Sequence, residues 1–342
     1  MTKNQQRLWY DVNDVLSYNA MINYITGGRG TGKTFGFKEW CLKKEGQFVW
    51  IRRYATELKK CKKTFLNDLK KQNKLPPGEW KVTGDEVTCN GKTKGYFMTL
   101  SKSMLEKSGA FGDVDVIIFD EALLGPGVHH YLPDEVSILL ELIETINRLR
   151  TGEDGRKEVR VFCLANKVSY VNPHFAFWHI CETPQRFTWA PGKKGLVLVE
   201  NYKNELFAET KRKTRMGQLI DGTDYGAYSI DNEAWFDDDA FIEARPPKVE
   251  CMFNIRIMNR MLGAWMLKDD PRVWFSTKTD PTKTTYAGSK EDHGKDTMLL
   301  STSSTVPKAL KKLYETGELR FEDTAVKALV IDVMQRYATL KK

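Results

Sequence analysis

No stretch of this sequence approaches the ~18 consecutive apolar residues of a membrane-crossing helix, so no spanning segment is expected. The start, MTKNQQRLWYDV, lacks the apolar core of a secretory leader, and none is expected. Cysteine is scattered: Cys41, Cys61, Cys89, Cys163, Cys181 and Cys251 include no CxxC pair. That spacing excludes a zinc ribbon or a disulfide framework and points to reduced thiols. His129 and His130, and the group His174, His179 and Cys181, also lack metal-binding spacing, so no zinc site is expected. Repeats and low-complexity tracts are absent too, which removes solenoid architectures.

Acids are outnumbered: 53 Lys and Arg face 45 Asp and Glu, a net charge of +8. This excess favours a polyanionic partner, nucleic acid first, although many intracellular proteins carry it for solubility alone. With 41% hydrophobic and 29% charged residues, the composition is that of an ordinary globular protein. A length of 342 residues suggests two domains.

Apolar strand-like runs alternate with helix-like runs in the first half. MINYITG (21–27), QFVWIRRY (47–54), VDVIIFDEAL (114–123) and RVFCLAN (160–166) read as strands. TFGFKEWCLKK (34–44), TELKKCKKTFLNDLKKQ (56–72) and LPDEVSILLELIETINRLR (132–150) read as helices, the last opening on Pro133, Asp134 and Glu135. Asn90-Gly91 marks a hairpin within 79–100. This alternation predicts an α/β fold with a mainly parallel sheet. The expected domains are 1–182 around the sheet, 183–232 as a linker or small subdomain, and 233–342 as a smaller α+β domain.

Residues 27–34, GGRGTGKT, match the phosphate-loop pattern G-x-x-x-x-G-K-[ST], between an apolar strand and a helix. Gly27, Gly28, Gly30 and Gly32, with Arg29 and Thr31, would shape backbone N–H groups around phosphate oxygens. Lys33 would reach the β- and γ-phosphates of ATP, and Thr34 would ligate Mg²⁺. The strand 116–121, VIIFDE, ends in Asp120 and Glu121. Asp120 suits Mg²⁺ binding and Glu121 suits polarising a water, a pair that argues for hydrolysis rather than binding alone. Asn166 either senses the γ-phosphate through that water or caps a turn.

Two readings stay open for Arg148 and Arg150: complementing a helix dipole, or serving a neighbouring subunit as an arginine finger. Arg52 and Arg53 either approach phosphate or face solvent. KRKTR (211–215) is the best nucleic-acid candidate among the basic runs. FDDDAFIEAR (236–245) offers Asp237, Asp238, Asp239 and Glu243 either as nuclease metal ligands or as a charged turn. Trp265, Trp274 and Phe275 are expected in a core rather than on a base-stacking surface.

Taken together, GGRGTGKT, FVWIRRY, VIIFDE, PDEVSILLELIETINRLR, FCLANKVSYVNPHF and KTRMGQLIDGTDYGAYSIDN resemble the DNA-packaging ATPases of small podoviruses, whose genome ends carry a covalently attached protein. The resemblance is dense to residue 232 and thin beyond it. It implies a catalytic-glutamate, additional-strand ATPase similar to terminase motors. It implies a homomeric ring, pentameric in the best-known cases, on the portal of an empty capsid in the host cytoplasm. Such a ring drives double-stranded DNA inward, in some relatives with a packaging RNA. It assigns trans-acting roles to Arg148 and Lys107. It makes the C-terminal domain a decayed RNase H-type nuclease that binds nucleic acid without cutting. TGEDG (151–155) departs from the family pattern as an insertion beside Arg148. The alternatives are a terminase-like enzyme that also cleaves DNA, and a nucleotide-dependent switch with little turnover.

Overall fold

The computed structural model describes residues 7–105, 111–124, 130–148, 150, 157–167, 169–231 and 241–338. The chain forms two compact units. One holds the described residues up to Ser169 together with 183–231. The other holds Tyr170–Glu182 and the described residues from 241 onward.

The first unit runs α1 (Val12–Leu16), β1 (Ile22–Gly27), α2 (Lys33–Lys43), β2 (Gln47–Arg52), α3 (Ala55–Lys71), β3 (Trp80–Thr83), β4 (Glu86–Cys89), β5 (Lys92–Thr99), β6 (Val114–Asp120), α4 (Glu135–Asn147) and β7 (Arg160–Asn166). After α5 (Pro173–Trp178), which belongs to the other unit, come β8 (Phe187–Trp189), β9 (Val197–Tyr202), α6 (Glu205–Arg212), α7 (Arg215–Ile220) and α8 (Asp224–Ser229). The strands form one sheet in the order β3-β4-β5-β2-β6-β7-β1-β9-β8. From β5 across to β9 all pairings are parallel. Strands covered on both faces read as unbroken apolar runs, and β1 and β9 are buried at every position. One strand, β7, separates the phosphate-loop strand β1 from β6, which carries the acids. That is the expected additional-strand arrangement.

Packed on the sheet are Phe37, Phe48, Trp50, Phe65, Phe97 and Phe162, with Trp50 edge-on to Phe65 at 5.0 Å between centroids. The hairpin falls where Asn90-Gly91 predicts it: both residues have positive φ, 50° and 76°, as a type I′ turn requires.

The division of the chain differs from the expected one. β9 pairs with β1, and β8 with β9, so the stretch after Thr183 completes the first sheet instead of forming a linker. Tyr170–Glu182 leaves that unit because α5 carries Ala176 into the second core. Turn-rich composition in 183–195 hid β8, and the polar Glu200 and Asn201 interrupted the apolar run of β9.

The second unit contains α5, β10 (Glu250–Ile257), β11 (Arg260–Met266), β12 (Val273–Ser276), β13 (Thr285–Ala287), β14 (Met298–Leu299), α9 (Thr305–Glu315), β15 (Leu319–Phe321) and α10 (Thr324–Ala338). Its sheet order is β14-β13-β10-β11-β12-β15. β10, β11 and β12 form an antiparallel meander, and β13 and β15 add parallel strands at either side. This order fits the RNase H-type expectation. Val326, Leu329, Val330 and Val333 of α10 fill the core beside Phe275 and Phe321. Trp274 and Phe275 are fully buried, as expected, while Trp265 is partly covered by the Arg245 guanidinium. Glu243 is taken up by Arg272 and Arg320, and Asp237–Asp239 lie outside the described residues. Among the described residues no three carboxylates lie within reach of one ion.

Candidate nucleotide site

The loop between β1 and α2 is shaped by its neighbours. A Cβ on Gly27 would stand 2.8 Å from the Tyr202 carbonyl oxygen, so only glycine lets β1 and β9 pair there. Gly30 and Gly32 hold φ of 86° and 92°, which turns the chain tightly into α2. Lys33, the first residue of α2, folds back into this loop. Its Nζ donates to the carbonyl oxygens of Gly27 and Gly28, each at 2.9 Å. Thr31 Oγ1 closes the loop by donating to Gly28 O at 3.0 Å.

Burial lowers the Lys33 ammonium to about 7, against the opposing pull of the Glu200 and Asp120 carboxylates. In the unfolded chain its ordinary value is 10.5. Between those values the unfolded state binds the extra proton, so this lysine's contribution to stability rises with pH across that window. A polyphosphate in the loop favours the ammonium. Binding ATP at pH 8 should therefore take up protons, and Lys33→Arg, whose guanidinium is already charged, should bind without that uptake. Calorimetry in buffers of different ionisation enthalpy reads this; equal uptake in Lys33→Arg would contradict it.

Thr34 Oγ1 donates to Asp120 Oδ1 at 3.0 Å, joining the phosphate loop to the end of β6. Asp120 Oδ2 is buried without a hydrogen bond; Arg52 Nη2 stands 3.1 Å away, off the hydrogen-bonding line. Burial raises the Asp120 carboxyl, and Arg52 opposes the rise. A buried carboxylate oxygen lacking a donor, next to a threonine hydroxyl, fits an oxygen-preferring cation such as Mg²⁺.

Glu121 follows with φ of 61°, a costly backbone for a residue with a side chain and one that recurs at functional sites. Its carboxylate is 59% exposed and pairs with Arg52 Nη1 at 2.6 Å. Arg52 thus spans both acids, and Arg53 does something different. Its side chain is 1% exposed and ion-pairs with fully buried Glu135 of α4 at 2.6 Å. It also donates to the carbonyl oxygens of Glu121 and Ala122, at 3.1 and 2.7 Å, and so fixes the turn after β6. Glu135 therefore anchors the start of α4 from inside, while Asp134 has no side-chain cap bond.

Asn166, the last residue of β7, lies in register with Gly27, beside the loop. Arg29 is exposed, and its charge acts on Lys211 of α6 and Tyr228 of α8 in the same chain. At the end of α4 the two arginines separate. Arg150 is 4% exposed and donates to the carbonyl oxygens of Phe111 and Gly112, at 2.9 and 2.8 Å. Arg148 is exposed, with a φ of 42°, and its Nε donates to Thr145 O at 3.1 Å. Lys107 and the insertion 151–155 lie outside the described residues.

Of KRKTR, Lys211 is bonded to Ser229 and Arg212 to Asp231, which leaves Lys213 and Arg215 exposed. Glu200 escaped sequence reading. It is fully buried on β9, accepts from Tyr10 at 2.7 Å and from Arg186 at 2.7 Å, and acts on Lys33. The available signal was an acid in the apolar run GLVLVENY.

Residues 4–339 match the sequence pattern of the podovirus DNA encapsidation protein (Gp16) family. The chain is 34% identical over 331 residues to the DNA packaging protein of Bacillus phage B103, covering 94% of this chain and 99% of that protein. A chain of the bacteriophage phi29 viral genome packaging motor assembly is 32% identical and superimposes with a TM-score of 0.70, over 96% of this chain and 99% of that one. The N-terminal domain of the DNA packaging ATPase from phi29 is 33% identical with a TM-score of 0.50, over 58% of this chain and 98% of that domain. With a match across nearly its whole length, the chain belongs to the podovirus DNA encapsidation protein family.

Proposed function

We propose that this protein hydrolyses ATP and uses the energy to drive double-stranded DNA through a portal into an empty capsid. The carrying observation is the convergence of the Lys33 loop after β1 with buried Asp120 and strained Glu121 at the end of β6, the two strands flanking β7. Packaging is the role that the family membership brings; hydrolysis is the reading of this site.

Lys33 and the loop N–H groups would bind the phosphates. Thr34 and Asp120 would hold Mg²⁺, which offsets phosphate charge when bound. Glu121 would orient the attacking water and take its proton, and Asn166 would report on that water from beside Gly27. Arg52 pairs with the Glu121 carboxylate, so Glu121 would take a proton from water only with that contact loosened. Arg148 would complete a neighbouring chain's site, joined by Lys107, in a homomeric ring, read here as a pentamer. The phi29 relative's place in a viral genome packaging motor assembly supports an assembled form, which we read as a ring at the portal vertex of a procapsid in the host cytoplasm. The C-terminal unit would grip nucleic acid without cutting it, with Glu243 held by Arg272 and Arg320 rather than offered to an ion.

Phosphate release by the full chain with Mg·ATP tests this reading. Turnover should rise with double-stranded DNA and empty capsids. It should vanish in Lys33→Ala, with no Mg²⁺-dependent nicking in any arm. No turnover above buffer would favour a nucleotide switch, and nicking would favour a terminase-like nuclease.

A further inference from the structure

We propose that His179, Cys181 and Asp323 form a zinc site in the second unit, apart from the nucleotide site. His179 caps the C-terminus of α5 with a φ of 55°, and Cys181 follows two residues on. Asp323 precedes α10, where its Oδ1 accepts the Val326 N–H at 2.8 Å. One ligand atom from each of the three lies within 4.8 Å of the others. The sequence hid the set because the third ligand arrives from a distant element.

His179 Nε2 stands 3.5 Å from Asp323 Oδ2. That is long for an N–H···O bond, which favours 2.7–3.2 Å. It is close to the ~3.4 Å that separates two ligand atoms held at ~2.0–2.1 Å by a tetrahedral zinc ion. His179 Nδ1 is buried without a hydrogen-bond partner among the described residues, so neither ring nitrogen has a bond of ordinary length.

Burial and the neighbouring Asp323 carboxylate raise the Cys181 thiol, opposed by the Thr324 side chain and the Ala325 N–H at the start of α10, so zinc binding here would displace the thiol proton. Thiolate and carboxylate together carry two negative charges, which one divalent ion neutralises. Sulfur and imidazole ligands select zinc over Mg²⁺ or Ca²⁺, and three protein ligands leave the fourth position to water. Such an ion would tie the Tyr170–Glu182 segment to α10, both within the second unit.

Zinc chloride titrated into the chelator-treated full chain, without nucleotide, tests the site. About one zinc per chain should bind tightly, read by elemental mass spectrometry after gel filtration. Outer hydrogen-bond partners of a metal ligand are worth about 10–100-fold in affinity, so losing a ligand in Cys181→Ser should cost more than ~100-fold. Asp323→Asn, which keeps an oxygen to cap α10, provides a second variant should Cys181→Ser fold poorly. Zinc should also slow alkylation of Cys181 while leaving Cys89, in the other sheet, unchanged. Zinc binding unaltered by both substitutions, or equal Cys181 alkylation with and without zinc, overturns the site.

Discussion

Glu121→Gln should bind ATP as tightly as the parent chain and hydrolyse it about 10²–10⁴-fold more slowly, the range set by removing a general base. The substitution keeps the side chain's size and leaves the phosphate loop and the Thr34–Asp120 bond untouched. It removes only the charge able to accept a proton from water. Glutamine can occupy the same left-handed position, with φ of 61°, and the side chain is 59% exposed, so no packing is lost. Arg52 keeps its contact with Asp120, so the buried acid stays compensated. Nucleotide affinity and phosphate release measured on one preparation separate the two effects. Turnover near the parent rate would remove Glu121 from the mechanism.

Arg148→Ala should lower DNA-stimulated turnover by about 10³–10⁵-fold, the worth of an arginine finger. Yet it should leave a folded chain, because its guanidinium is exposed and, among the described residues, hydrogen-bonds to Thr145 O. Arg150, two residues on, is the internal control: it is buried on the carbonyl groups before β6, and its loss should act through folding. Mixing Arg148→Ala chains with Lys33→Ala chains tests action across subunits. A Lys33→Ala chain cannot bind phosphate properly but still presents Arg148 to its neighbour. Partial recovery of turnover in the mixture is the expected result. Two inactive variants that stay inactive at every ratio would mean that Arg148 does not act in trans.

The sheet was legible because each central strand is buried on both faces and so reads as an apolar run. RVFCLAN matches β7 residue for residue. Residues 27–34 and the Asp120–Glu121 pair stood out in the sequence because phosphate and metal chemistry would tolerate few residue types there, and the Thr34–Asp120 bond brings the two together. What the sequence could not separate were like residues side by side. Arg52 and Arg53 are chemically identical, but their side chains leave the chain in different directions. One reaches Asp120 and Glu121, and the other locks Glu135 in the core. Arg148 and Arg150 divide in the same way between solvent and interior. The division of the chain was hidden for another reason. β9 joins the sheet through pairing with β1, and β8 through pairing with β9; the first is a long-range contact that local composition does not encode.

Uptake of double-stranded DNA by empty, portal-bearing capsids measures the proposed activity directly, with nuclease-protected DNA and released phosphate read in the same reaction. Protected DNA should appear only with Mg·ATP, grow in proportion to phosphate released, and be lost with Glu121→Gln. Protected DNA formed by Glu121→Gln, or with a non-hydrolysable ATP analogue, would contradict hydrolysis-driven DNA movement by this protein.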